Sequence, residues 1–166
     1  MKKIYAFIAM AMMTVTAVSA QTFAVGDKLV SASVGFGADC GIPITLSYEQ
    51  GIYAINEDMV VGVGGLIGYG FESETIGSDK LKTSDLLIAI TGNYHYTAIE
   101  KFDLYAGLSL GYESATAKYA GNKASAGDFD FGIYVGARYY FSEKFAALAQ
   151  LGYGISYFNI GATYKF

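Results

Sequence analysis

The chain has one proline, one cysteine and one histidine, and only 16% of its residues are charged. A lone cysteine, Cys40, excludes an internal disulfide; it falls in a predicted loop, where it reads as a small semi-buried residue rather than a reactive thiol. With one histidine beside it there are too few ligands for a metal centre of the usual His and Cys type. Basic residues are also scarce. Lys2 and Lys3 belong to an N-terminal leader, so of eleven Lys plus Arg nine remain against 15 acidic residues, a net charge of −6. Nucleic acid is not a partner for such a chain. Long apolar runs are missing as well. The longest weakly polar stretch after the N-terminus, Met59 to Phe71, has thirteen residues and five glycines, short of the ~20 that a spanning helix needs.

Yet 53% of the chain is hydrophobic and its mean hydropathy is positive, too apolar for an ordinary soluble domain. The apolar residues are therefore spread out. The 21 glycines and 26 Phe plus Tyr suit strands and close packing better than helices. Residues 1–20 read as a secretory signal peptide. Lys2 and Lys3 precede an apolar stretch from Ile4 to about Val18, and Val18-Ser19-Ala20 is a small-residue cleavage site, so cleavage is expected between Ala20 and Gln21. The residue directly after the cut is Gln21 and not a cysteine, which excludes a lipoprotein signal. One domain, residues 21–166, remains.

From about Lys28 onward the sequence alternates with period two, and eight strands can be followed by parity. One face collects Val30, Ala32, Val34 and Phe36, then Ile44, Leu46 and Tyr48, and so on to Phe158, Ile160, Ala162, Tyr164 and Phe166. The other face is mostly Gly, Ser, Thr and Asn. Alternation alone does not say which face is outside. The apolar face carries about seventeen aromatic rings, too much volume for the interior of an eight-stranded barrel. Those rings gather at strand ends while Val, Ile, Leu and Ala hold the middles, as in two aromatic girdles around a hydrocarbon band. Connections also alternate: short at Asn56-Glu57-Asp58, Thr97 to Lys101 and Ser142-Glu143-Lys144, longer at Glu72 to Ser84 and Glu113 to Gly127. The expected fold is all-β, an eight-stranded antiparallel up-and-down transmembrane barrel with its apolar face outward, short periplasmic turns and longer external loops.

The polar parity places Glu49, His95, Asp103, Arg138 and Lys165 inside, near the periplasmic end. His95 is expected opposite Asp103 across their short turn, with Asp103 close to Arg138 on the next strand. Such a network reads either as paired buried charge that holds the barrel or as a narrow, proton-sensitive channel. No catalytic residue, metal or cofactor is expected. Some small barrels of this size resemble lipid A-modifying enzymes, which is the alternative from another class; that chemistry needs a nucleophile or base near the outer leaflet, often Ser with His. The only histidine lies at the opposite end, and Ser84-Asp85 near the outer surface has no histidine partner. The loop Glu72 to Asp85 has an acidic excess, the loop Glu113 to Asp128 is balanced, and neither reads as a basic patch.

The alternating final strand, with Phe158, Ile160, Tyr164 and the terminal Phe166, resembles the C-terminal assembly signal of outer-membrane barrels. Gly136-Ala137-Arg138-Tyr139-Tyr140-Phe141 and Leu151-Gly152-Tyr153-Gly154 are similar to stretches of the small OmpA/OmpX-type barrel family. The resemblance covers nearly all of residues 27–166. It implies a Gram-negative cell outer membrane reached through the Sec pathway, with periplasmic chaperones and the barrel-assembly machinery as partners during biogenesis. It further implies outer-membrane lipid and lipopolysaccharide as surroundings, and a monomer. The family holds adhesins, structural proteins and lipid-modifying enzymes, so the functional expectation is broad: a non-enzymatic barrel with a filled lumen and a structural or surface-interaction role through its external loops.

Overall fold

The computed structural model describes residues 22–37, 41–76, 79–119, 122–154 and 156–166. Ala20, Gln21 and Cys40 lie outside the described residues. Eight strands follow one another: β1 Lys28–Phe36, β2 Ile44–Asn56, β3 Met59–Ile76, β4 Asp79–Tyr96, β5 Phe102–Tyr119, β6 Asn122–Tyr140, β7 Phe145–Tyr153 and β8 Phe158–Lys165. Each pairs with its neighbours in antiparallel register, and β8 closes on β1 from Leu29↔Lys165 to Phe36↔Phe158. Closure leaves no open sheet edge in the barrel wall, the condition for burying strands in lipid.

The expected parity sets the walls. Ile90 is 68% exposed on the outside, while its neighbours Ala89 and Thr91 are buried. Ile44, Ile67, Ile88, Leu108, Leu110, Ile133 and Val135 are likewise exposed. A continuous apolar belt of this extent is stable only against hydrocarbon. Rings flank it, with Tyr94, Tyr96, Phe102, Tyr139, Phe145 and Tyr164 towards the short-turn end and Tyr69, Phe71, Tyr112 and Phe129 towards the other.

The interior departs from the expected lining of small polar residues. Tyr105, Tyr134, Tyr140, Leu29, Leu87 and Leu148 are buried inside. Glycines on facing strands make room: a Cβ at Gly136 would overlap the Tyr105 ring, and one at Gly107 the Tyr134 ring. Among the described residues two interior cavities, of about 60 and 20 Å³, have room for a few waters at most. The smaller lies nearer the long-strand end.

A second departure concerns the connections. The stretches Glu72 to Ser84 and Glu113 to Gly127 are not long loops; β3 to β6 continue through them as paired strands, out to Ile76↔Asp79 and Tyr119↔Asn122. Both faces of these extensions meet water, so the sequence has no apolar alternation there to announce a strand. β2 and β7 stop earlier: β2 reaches β3 no farther out than Ile44↔Tyr69, and β7 reaches β6 no farther than Ile133↔Tyr153. A four-stranded sheet therefore protrudes from one side of the barrel.

Candidate functional site

Four of the five inward charges meet. Glu49 from β2, His95 from β4, Asp103 from β5 and Arg138 from β6 form a closed ring of ion pairs near the short-turn end. His95 Nε2 lies 2.6 Å from Glu49 Oε1, and His95 Nδ1 lies 2.7 Å from Asp103 Oδ1. Arg138 completes the ring, Nη2 to Glu49 Oε2 at 2.7 Å and Nη1 to Asp103 Oδ2 at 2.8 Å. All four are buried, His95 and Asp103 completely.

The ring has a definite proton count. Ionised carboxylates only accept hydrogen bonds, and both imidazole nitrogens face one. Both contacts are satisfied together only if the ring holds one proton beyond a neutral histidine and two carboxylates. With it, two acids balance one guanidinium and one proton, and the buried cluster is neutral. Neutrality matters because an unpaired charge in this space is costly.

Its surroundings reinforce it. The Arg138 guanidinium sits over the Tyr105 ring at 4.4 Å. Asn93 donates to Glu49 Oε1 at 2.7 Å, Tyr134 donates to Asn93 at 2.8 Å, and Tyr105 donates to Gln150 at 2.9 Å. None of Asn93, Tyr105, Tyr134 and Gln150 was part of the expected network. They alternate with small residues, and only the cross-strand register shows that they converge.

Two details differ from the sequence expectation. His95 is paired in register with Tyr105, not Asp103, because the link Thr97 to Lys101 ends in Lys101 with φ 64° and a turn bond from Phe102 N to Ile99 O. His95 reaches Asp103 diagonally. Lys165 does not join the ring; its ammonium lies 3.5 Å from Asp27 and bonds the Thr22 carbonyl at 3.4 Å. It belongs to a second layer that the sequence did not announce. Residues Thr22 to Asp27 fold back into the short-turn mouth, and Phe23 is fully buried, 4.3 Å from the His95 ring and packed with Leu29 and Val60. Gly51 leaves space for this segment, since a Cβ there would strike the Ala24 carbonyl and lie 3.2 Å from the Phe23 ring.

The remaining residues singled out in the sequence are elsewhere. Phe158, Ile160 and Tyr164 stand on the outward face of β8 and Phe166 is exposed just beyond its end; Tyr164 packs against Phe145 at 4.9 Å. Ser84 and Asp85 have opposite parity on β4, with Asp85 buried towards the interior. They form no joint site, and both nitrogens of the only histidine are engaged by carboxylates. Among the described residues no group of His, Cys, Asp and Glu has the geometry of a metal site.

Solved structures share this architecture. Ail of Yersinia pestis, in complex with the heparin analogue sucrose octasulfate, is 18% identical with a TM-score of 0.58, over 86% of this chain and 100% of that one. The N-terminal β-barrel domain of Pseudomonas aeruginosa OprF is 17% identical with a TM-score of 0.57, over 86% and 98%. A de novo designed transmembrane β-barrel is 17% identical with a TM-score of 0.55, over the same shares. At these identities the likeness shows the fold. No curated protein matches the sequence. The model of the outer membrane protein beta-barrel domain matches residues 5–166, nearly the whole chain, and with the closed barrel and its apolar belt this establishes that the chain belongs to that family of outer-membrane proteins.

Proposed function

We propose that this protein is a non-enzymatic surface-interaction protein, in which a sealed barrel anchors the protruding β3–β6 sheet outside the cell. The observation that carries this reading is the open margin of that sheet. Beyond Ile133, β6 runs on through 122–131, where no other described strand pairs with its outer side, so its outer backbone N–H and C=O groups are available to an added strand. An extended segment of an external protein is the partner such an edge fits. Attachment, which the name of Ail gives to that protein, is the corresponding role here. The charged ring then serves stability, and a filled lumen opposes a channel. Catalysis on lipid A is disfavoured because the histidine is locked between two carboxylates, at the end far from the outer leaflet.

Replacing residues 73–82 and 116–125 by short turns tests this reading on cells lacking other adhesins. Adhesion to protein-coated surfaces should fall to background while the barrel remains heat-modifiable in the outer membrane; unchanged adhesion would contradict it.

Biogenesis follows the same reading: export through the Sec pathway, removal of residues 1–20, and recognition of the β8 terminus by the assembly machinery as a monomer. Deleting Phe166 should therefore lower the amount of folded barrel in outer-membrane fractions far more than trimming the sheet does. Equal amounts would remove Phe166 from the assembly signal.

A further inference from the structure

The protruding sheet separates its charges by face. Strand parity sends Glu72, Glu74, Asp85, Glu113, Asp128 and Asp130 to the face that continues the barrel interior. Lys80, Lys82, Lys118 and Lys123 fall on the opposite face, continuous with the lipid-facing wall. Register aligns three of them. Lys82 pairs with Lys118, and Lys118 pairs with Lys123, a row across β4, β5 and β6. Directly beneath it runs a hydroxyl row, Ser84↔Thr116↔Ser125, in which Thr116 and Ser125 share a hydrogen bond of 3.0 Å. Beneath that lie Tyr112 and Phe129 of the aromatic girdle.

Like charges placed directly opposite each other destabilise a sheet. Here two such pairs follow in succession, no acidic residue shares their face, and none of the four lysines has an ion pair among the described residues. An anion bridging the row removes that cost. Lys118 is six residues beyond Tyr112, which for a tilted strand is roughly 15 Å above the girdle. At that height, on the outward face of an outer-membrane barrel, the surrounding medium is the phosphorylated saccharide layer of the outer leaflet.

We propose that Lys82, Lys118 and Lys123 form a docking row for the core phosphates of lipopolysaccharide, with Lys80 and the hydroxyl row as flanking contacts. Ammonium groups of lysine suit phosphate as point charges, and the row's direction, around the barrel rather than along it, suits a saccharide lying beside the wall. The proposal uses the outer-membrane placement and the protruding sheet but not the open β6 edge, so it and the attachment reading can fail separately.

The test is titration of the detergent-folded barrel with fluorescently labelled rough lipopolysaccharide, against the Lys82→Ser, Lys118→Ser, Lys123→Ser triple variant, with heat-modifiability as the check on folding. The triple variant should bind on the order of a hundredfold more weakly, and the corresponding triple Lys→Arg variant should bind like the wild type. Lipopolysaccharide stripped of its phosphates should bind the wild type as weakly as the intact form binds the Ser variant. Equal binding by wild type and Ser variant, or indifference to dephosphorylation, would overturn the proposal. So would lysine-dependent binding of a soluble sulfated polysaccharide without binding of lipopolysaccharide, which would assign the row to an external polyanion.

Discussion

Replacing Arg138 by Met is expected to lower the unfolding free energy of the barrel in lipid vesicles by on the order of 3 to 5 kcal/mol. The guanidinium holds one oxygen of Glu49 at 2.7 Å and one of Asp103 at 2.8 Å. Without it, two buried carboxylates share the single proton of the ring, and the cluster carries one uncompensated negative charge inside the barrel. Asp103→Asn alone leaves the opposite excess and should be destabilising as well. The double variant Asp103→Asn, Arg138→Met retains Glu49 with the protonated His95, is neutral again, and should cost much less than the sum of the two. Urea titrations of the three variants measure that coupling directly. Simple additivity would show that Asp103 and Arg138 are not in contact.

Phe23→Ala should cost about 3 to 5 kcal/mol, which is much for a residue outside every strand. The ring is wholly buried, caps His95 and packs with Leu29 and Val60. Its loss opens a cavity beneath the charged ring, so the ion pairs would face water as well as a void. Phe23→Leu refills most of the volume and should cost clearly less. Unfolding of both variants under the same conditions decides the point; a cost below ~1 kcal/mol for Phe23→Ala would mean that Thr22 to Asp27 do not dock in the folded protein.

The sequence was most legible where one face of a strand meets hydrocarbon. Ile88, Ile90 and Tyr94 against Ala89, Thr91 and Asn93 is a signal that lipid enforces, since a slip of one residue would turn every side chain to the wrong side. Glu49, Asp103 and Arg138 were placed by the same parity. The failures share a physical origin. Where both faces are wet, as in Ser73 to Thr83, no alternation marks the strand, and the extension read as a loop. Segregation of its charges was hidden for the same reason, because Glu74, Lys80 and Lys82 look mixed until register separates the faces. Lys165 shared the ring's parity but lies at the β1–β8 seam, next to Asp27 from a segment without periodicity. Phe23 precedes the alternating region, and nothing local marks it as buried. Tyr105 and Tyr134 fit inside only because Gly136 and Gly107 stand across from them, a relation carried by register rather than by composition.

The central claim is that the interior is a locked structural element and that interaction belongs to the outer surface. Single-channel recording in planar bilayers tests it most directly, with the folded wild type and Arg138→Met measured side by side. The barrel filled by Tyr105, Tyr134, Leu148 and the neutral charged ring should show no steady conductance in the wild type, with at most irregular openings in the variant. A steady, cation-selective current in the wild type, changed in size by Arg138→Met, would contradict it and make the ring the constriction of a pore.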